Sequence, residues 1–452
     1  MRRALDEANA LGLWRQSEAG CALATTPERR AVPHVANVLD ELEWRGLIAH
    51  STDPEALRGA LAAGNVRFYV GFDPTAPSLH HGNLVQLLTA KRLQEAGHTP
   101  YALVGGATGM IGDPRDSGER TLNSLDTVRD WVARLQRQVE PFLSFEGPNA
   151  ATMVDNYTWT SSLSTIDFLR DIGKHFPVNK MLARDVVRTR LEDGISYTEF
   201  SYVLLQSMDY LNLYRTHGVT LQFGGSDQWG NITAGVDLIR RADGAKVHAL
   251  ATPLMTKADG TKFGKTAGGA VWLDPEMMSP WAFYQFWLNV EDAKVGELLR
   301  VLTFLSRPEI EELEATTVDK PALRAGQRAL AEHVTTIVHG AEEAASVAAA
   351  AGALFGRGDL RGLAAATLAA ALGDAGAITV SDPVPGVVDL FVSTGLCASR
   401  GEARRAVTEG GAYLNNMRIT DPELVPTADD ILPGGWLVLR KGKRTMAGVA
   451  VR

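Results

Sequence analysis

Cysteine is nearly missing from these 452 residues: only Cys21 and Cys397 occur, far apart in the chain. That excludes a disulfide framework and a cysteine-based metal site, and the expected setting is a reducing cytoplasm. Long apolar runs are missing as well. No stretch approaches the roughly 18 consecutive apolar residues of a membrane span. The opening "MRRALDEANALGLWRQSEAG" carries acidic and polar residues where a signal peptide needs its apolar centre. A strong charge of either sign is also lacking. The net charge of −8 does not by itself announce a nucleic-acid partner. From Pro383 to Arg452, however, nine basic residues face seven acidic ones, so that segment is +2 and the remainder −10. Local clustering of charge matters more than the total.

What is present is the composition of a globular chain, 45% hydrophobic and 22% charged, long enough for two to four domains of about 100–200 residues each. Residues 1–36 show no sustained period and are expected to be a mobile extension. "VRFYVGF" (66–72) reads as a buried strand, and a helix is expected from about Leu79 to Ala96, stopped by Gly97. "YALVGGATG" (101–109) reads as a second strand. Strand, helix and strand with short joints form a βαβ unit, which implies a parallel sheet with ligands at its carboxyl edge. The stretch 120–215 is mostly helical by pattern, and "VTLQFGGSDQWGN" is another strand ending in glycines. Helices dominate 279–356, and 373–386 has the Gly/Pro/Ser/Asp character of a linker.

Two short stretches carry the chemistry. Residues 77–84 read "PSLHHGNL". Adjacent histidines do not share a helix face, and no further Cys/His cluster supplies the other ligands a metal needs. A phosphate corner has better mechanics. Gly82 lets a ligand approach the backbone, the helix start offers free N–H groups, and His80 and Asn83, one turn apart, can both donate. A capped structural helix accounts for the same residues. The second stretch is "TKADGTKFGKT", in which Lys262 and Lys265 flank Phe263-Gly264 and Thr266 follows. Taken alone it is also what a solvated lysine-bearing turn looks like.

Together the two stretches resemble the paired signatures of class I aminoacyl-tRNA synthetases. "YVGFDPTAPSLHHGN", "LVGGATGMIGDP", "EFSYVLLQSMDY", "LQFGGSDQWGNI" and "KADGTKFGKT" narrow the resemblance to the bacterial tyrosyl-tRNA synthetase family, from about Leu39 to the C-terminus. The resemblance implies an α/β fold: a Rossmann-type parallel-sheet catalytic domain over 37–270 with a helical insertion at about 120–190. An α-helical anticodon-binding domain (271–372), the 373–386 linker and a small α+β S4-like RNA-binding domain (387–452) would follow. It also implies roles. Tyr69 and Asp209 would meet a phenol hydroxyl, while Asp113, Tyr202 and Gln206 hold an α-ammonium. Asp73 and Thr75 would lie near the amino acid and ATP, and Gln228 near the tyrosine carboxylate. Gly71, His80, Gly82, Asn83, Gly225, Asp227, Lys262 and Lys265 would contact ATP. His80, Asn83, Lys262, Lys265, Thr266, Thr75 and Arg120 would stabilise the transition state. Tyr202, Gln206 and Asp209 do fall at i, i+4 and i+7, one face of one helix. The loop after Asp113-Pro114, "RDSGER", departs from the family in lacking lysines; Arg120 aligns with a family arginine, and Arg115 is the other cation there. "LCASRGEARRAVTEGGAYLNNMRI" resembles an S4-type module, with Ser399, Arg400, Arg404, Arg405, Lys441, Lys443 and Arg444 as the implied RNA contacts.

The implied activity is ligation of L-tyrosine to tRNA(Tyr) through tyrosyl adenylate. ATP is the second substrate, Mg²⁺ travels on its phosphates, and no protein-bound structural metal is involved. The implied protein is a cytoplasmic homodimer without a membrane association. Two alternatives stand beside it: a synthetase-like RNA-binding protein that has lost catalysis, and a tryptophan-specific sister enzyme, which the Tyr69 and Asp209 pair opposes. Within the signature, His80 is the functional candidate, while His81 occupies its variable position and packs or faces solvent. Asn83 stands where many relatives carry histidine, and an amide there donates without titrating.

Overall fold

Side chains of a strand alternate between the two faces of its sheet, and Arg67–Phe72 obeys this strictly. Phe68, Val70 and Phe72 enter one hydrophobic cluster, and Tyr69 enters another with Tyr101 and Leu103. In the computed structural model this segment is β2 of a six-stranded sheet comprising β1 (His50–Ser51), β2 (Arg67–Phe72), β3 (Thr99–Val104), β4 (Thr152–Asp155), β5 (Leu221–Gly225) and β6 (His248–Thr252). The structure describes residues 37–452 except 115–117, 119–120, 262, 265–268, 355–357 and 443–444. The expected extension (1–36) lies outside the described residues, as do Arg115, Arg120, Lys262, Lys265, Thr266, Lys443 and Arg444.

The strand order is β1-β6-β5-β2-β3-β4, with every pair parallel except the edge pair β1–β6. Helices His81–Glu95 and Leu125–Val139 cover one face through Leu84, Leu87, Leu88, Val128 and Leu135. Helices Tyr197–His217 and Trp229–Asp243 cover the other through Val203, Leu204, Tyr210 and Leu238. From β2 the chain builds outward to β3 and β4, then returns to place β5 and β6 on the opposite side. The carboxyl ends of β2 and β5 therefore flank the switch point of an open α/β sheet, where a crevice is available to a ligand.

Two stretches differ from their sequence reading. The span 120–215, read as mostly helical, contributes β4, which pairs with β3 from Tyr101↔Thr152 to Val104↔Asp155. Four residues are too few to display a period against helical surroundings. The span 373–386, read as a linker, contains β7 (Ile378–Val380), which pairs with the last strand of a second sheet. Three residues between glycines and prolines conceal it in the same way. That sheet also holds β8 (Ala412–Leu414), β9 (Met417–Arg418), β10 (Trp436–Lys441) and β11 (Thr445–Val451), in the order β7-β11-β10-β8-β9. Its own core gathers Leu390, Phe391, Val407, Leu437 and Leu439. Between the sheets run helices Pro280–Leu288, Asp292–Leu302, Arg307–Asp319, Ala325–His339, Ala341–Gly352 and Ala365–Asp374.

The helix Tyr197–His217 is fixed at both ends. The Ser196 side chain accepts from the Glu199 N–H, and Gly218 closes the helix at φ 66°, where a glycine carries no Cβ penalty. A buried ion pair holds its first turn. Arg190 Nη1 lies 3.2 Å from Glu199 Oε2 and donates to Gly118 O at 3.1 Å, while Nη2 donates to Gly194 O at 3.1 Å. Removing one partner of such a pair strands a buried charge. Arg190→Met is expected to lower unfolding stability by about 3–5 kcal/mol, checked by the shift in urea midpoint; a loss under about 1 kcal/mol would mean the pair is effectively solvated.

Candidate active site

The chain leaving β2 turns through Asp73-Pro74-Thr75 and enters the helix His81–Glu95, whose N-cap is His80. His80 Nδ1 accepts from the Gly82 N–H at 3.0 Å, and Asn83 Oδ1 accepts from the His80 N–H at 3.0 Å. This capping box has a chemical consequence. A neutral His80 whose Nδ1 is an acceptor carries its proton on Nε2, so the tautomer follows from the hydrogen bond. Asn83 spends its oxygen on the cap and keeps its Nδ2 donor. The structural cap and the phosphate corner are thus compatible functions of the same residues. Gly82 is needed here because a Cβ would stand 2.9 Å from His80 Cε1. The same corner is tied to the segment following the lysine loop: His81 N–H donates to Val271 O and Leu273 N–H to Leu79 O, both at 2.9 Å.

On the opposite side of the crevice, the helix Tyr197–His217 presents Tyr202, Gln206 and Asp209 along one face. Asp209 is 2% exposed, and its carboxylate accepts from Asn156 Nδ2 and Trp159 Nε1, each at 2.9 Å. Burial nevertheless pushes its pKa up to about 7, with the two donors pulling the other way. Tyr69, 1% exposed, rises from β2 toward it, and its hydroxyl ionises well above the usual tyrosine range because of burial and then the Asp209 charge. Tyr69 Oη and Gln206 Oε1 are buried without a hydrogen-bond partner among the described residues. Buried polar atoms in native proteins are rarely left so, and a polar ligand in the cleft would supply the missing partners.

The remaining acidic groups each have their own supports. Asp73 accepts from Tyr202 Oη at 2.5 Å and from Thr108 Oγ1 at 2.7 Å, and it rests on Gly105, where a Cβ would stand 2.1 Å from its Oδ1. Asp113 accepts from Gln228 Nε2 at 2.8 Å and Asn231 Nδ2 at 3.1 Å. Arg184 Nη2 in turn donates to Asn231 Oδ1. Asp227 stands over Gly225 at the end of β5, where a Cβ would meet its Oδ1 at 2.4 Å. Thr75 and Gly71 are exposed at the end of β2. The sequence reading missed Asn156, Trp159, Thr108, Asn231 and Arg184. Thr108 and Asn231 lie inside recognised motifs, whereas Asn156, Trp159 and Arg184 carry no local signal.

In the C-terminal module, Ser399 caps the helix Arg400–Thr408 by accepting from the Glu402 N–H at 3.3 Å. Arg400 pairs with Asp389 at 2.6 Å, Arg404 with Glu423, and Lys441 with Glu402 at 2.5 Å. Arg405 is exposed and forms no close ion pair among the described residues, although its charge acts on Glu402 one turn earlier. The Arg400 and Arg404 pairs are exposed to solvent, and exposed pairs of this kind are worth little.

Comparison with known proteins follows this division of the chain. A family model described as tRNA synthetases class I (W and Y) matches residues 61–356, and one described as the tyrosine–tRNA ligase SYY-like C-terminal domain matches 368–448. The chain is 63% identical over 420 residues to the tyrosine–tRNA ligase of Streptomyces coelicolor, covering 92% of this chain and 99% of that protein. The ligase of Streptomyces griseus is equally similar, at 63% with the same coverage. A solved C-terminally truncated mitochondrial tyrosyl-tRNA synthetase of Aspergillus nidulans superposes with a TM-score of 0.63 at 30% identity, covering 69% of this chain and 92% of that one.

The Asp209 carboxyl makes a pH prediction. With a folded pKa near 7 and an unfolded one near 3.9, the native state binds the extra proton between those values. Wild-type stability on this account is highest below about pH 4, falls as pH rises, and levels off above about pH 7. Asp209→Asn removes that slope, so its melting temperature relative to wild type is expected to climb from pH 4 to pH 7 and then plateau in differential scanning calorimetry. A pH-independent difference would place the carboxyl in solvent.

Proposed function

Because the chain belongs to the class I tRNA synthetases (W and Y), and within them to the tyrosine–tRNA ligases, we propose that the crevice between β2 and β5 binds L-tyrosine and ATP side by side. The comparisons support neither the catalytically silent RNA-binding protein nor the tryptophan-specific sister. The observation that carries the assignment of the site is the orphaned Tyr69 hydroxyl beside the buried Asp209 carboxylate. A phenol completes both: it donates to Asp209 and accepts from Tyr69. Phenylalanine would leave both groups desolvated and unpaired, so a site of this kind rejects it strongly.

In this reading Asp113, Tyr202 and Gln206 hold the α-ammonium, with Asp73 behind Tyr202 and Asn231 behind Asp113. Gln228 faces the substrate carboxylate, and Gly71, Gly225 and Asp227 take the adenosine and its ribose. The tyrosine carboxylate oxygen attacks the α-phosphorus in line, the bond to pyrophosphate breaks, and tyrosyl adenylate forms. A terminal ribose hydroxyl of tRNA(Tyr) then takes the tyrosyl group and AMP leaves. No protein nucleophile is involved; positioning and charge stabilisation carry the reaction. His80 Nε2–H and Asn83 Nδ2 donate to phosphate oxygens, joined by Thr75, Lys262, Lys265, Thr266 and Arg120. Nitrogen donors suit phosphate oxygens and not a hard cation, so Mg²⁺ enters on the nucleotide, where it neutralises phosphate charge.

The partner surfaces are part of the same proposal. Large apolar side chains exposed between 122 and 197 include Leu122, Ile166, Leu169, Val178, Leu191 and Tyr197, the last four 46%, 61%, 48% and 66% exposed. Their concentration on one insertion suits a second copy of the chain. The helical segment and the C-terminal module, with Arg405 and its neighbours, would read the tRNA bound at the opposite subunit's site. No described helix is long and apolar enough to cross a membrane, and the cytoplasm, where translation runs, is the proposed location.

Purified protein is expected to support tyrosine-dependent ATP–pyrophosphate exchange. Exchange with tryptophan alone, or with no amino acid, would overturn this reading. Asp209→Ala is expected to lower kcat/KM for tyrosine by at least about 10²-fold, the loss of a charge-assisted bond plus a stranded partner. Tyr69→Phe is expected to narrow the preference for tyrosine over phenylalanine; an unchanged preference would remove Tyr69 from the pocket.

A further inference from the structure

The second histidine of "LHHGN" neither faces solvent nor packs passively. His81 is 8% exposed, and its imidazole lies flat against the backbone of Gly264: a Cβ built there would stand 2.0 Å from His81 Cε1 and 2.4 Å from Nε2. Gly264 has φ +78°, the left-handed region, so both its conformation and the ring above it require glycine. Phe263 meets the same imidazole edge-on, with ring centroids 5.8 Å apart. Phe263 continues the stack into the helix Pro280–Leu288, with Phe286 at 5.4 Å and Trp287 at 6.0 Å. Its other side borders a cavity of about 340 Å³ lined by Lys257, Gln285, Asn289 and Lys294 among others. Phe263 is 6% exposed, and its aromatic contacts are a main part of its seat.

Sequence supplies the rest. Phe263-Gly264 lies between Lys262 and Lys265. Downstream, Val271–Leu273 is hydrogen-bonded to Leu79–His81, and Trp272 bridges His80. The start of one helix therefore touches the chain both within the lysine-bearing segment and just after it. Within the segment, the described contact with Phe263-Gly264 is made by His81, the covalent neighbour of His80.

We propose that His81 is a positioning residue for tyrosine activation: its ring seats the Phe263-Gly264 turn against the helix start that carries the His80 and Asn83 phosphate donors. This rests on the reading of those groups as phosphate ligands. The role we assign is that of the ring's shape, which its contacts with Phe263 and Gly264 carry. His81→Ala leaves a hole beneath the turn, and a displacement of about 1 Å in a catalytic group can cost about 10²-fold in rate. The tyrosine pocket lies on other elements and is untouched.

The test is ATP–pyrophosphate exchange with the full chain. For His81→Ala, kcat is expected to fall about 10²-fold while KM for tyrosine stays within about twofold, the signature of lost transition-state interactions. His81→Leu, which refills the space, is expected to recover kcat to within about fivefold with the wild-type pH profile. A third arm uses the clash itself: Gly264→Ala is expected to cost less in the His81→Ala background than in wild type, because the ring it strikes is gone. Wild-type kcat in His81→Ala overturns the inference, as does a pH profile altered in His81→Leu or strict additivity with Gly264→Ala. A parallel rise in KM for tyrosine would overturn it too, by showing a general disturbance of the site. Failure of the underlying reading is distinguishable, because wild-type protein would then show no tyrosine-dependent exchange.

Discussion

The parallel register of β2 between β3 and β5 is the constraint on which the rest of the site depends. Tyr69 lies opposite Tyr101 on one side and Gln222 on the other, which fixes both its height in the sheet and the face it enters. A slip of one residue would send Tyr69 into the cluster of Phe68, Val70 and Phe72, and put a phenylalanine or valine into the polar cleft. Because the strands run parallel, all their carboxyl ends open on one edge. Because the chain reverses its direction of sheet-building at β2, the ends of β2 and β5 are the pair that part. The turn at Asp73, the capped helix at His80 and the Gly225-Asp227 bend all hang from that edge.

Electrostatics then divides the crevice into two regions of opposite character. On one side stand Asp73, Asp113, Asp209 and Asp227, each held by neutral donors or seated on a glycine that a side chain would displace. On the other stand the helix start with its His80 and Asn83 donors and, by sequence, the lysine-bearing segment. On the proposed function, cationic and hydroxyl groups would be drawn to the first region and phosphate oxygens to the second, which would help orient an amino acid and a nucleoside triphosphate head to head. The acidic side bears a cost in stability. Asp209 is buried deeply enough that its carboxyl resists ionising, and the Tyr69 hydroxyl has no partner among the described residues. Such local frustration is expected where a ligand, and not the fold, completes the hydrogen bonding.

Much of this was legible in the linear chain. The alternation in "RFYVGF", the apolar spacing after His80 and the i, i+4, i+7 placement of Tyr202, Gln206 and Asp209 are local patterns, and local patterns survive in sequence. β4 and β7 were hidden because strands of four and three residues carry too little pattern to compete with their surroundings. The supports of the site were hidden for another reason. Asn156 and Trp159 reach Asp209 across 53 and 50 positions, and Asn231 reaches Asp113 across 118. Nothing near a residue records which distant donor will satisfy it.

The two histidines mark the boundary between these kinds of knowledge. Sequence alone determined that a helix begins at "LHHGN", since that depends on residues within a turn or two of one another. It also determined the ligase family, whose motifs are carried in order. Only the tertiary structure decided that His80 uses Nδ1 for the cap. It alone decided that His81 turns inward onto Gly264, because the choice between solvent and core belongs to whatever surface folding brings against the ring.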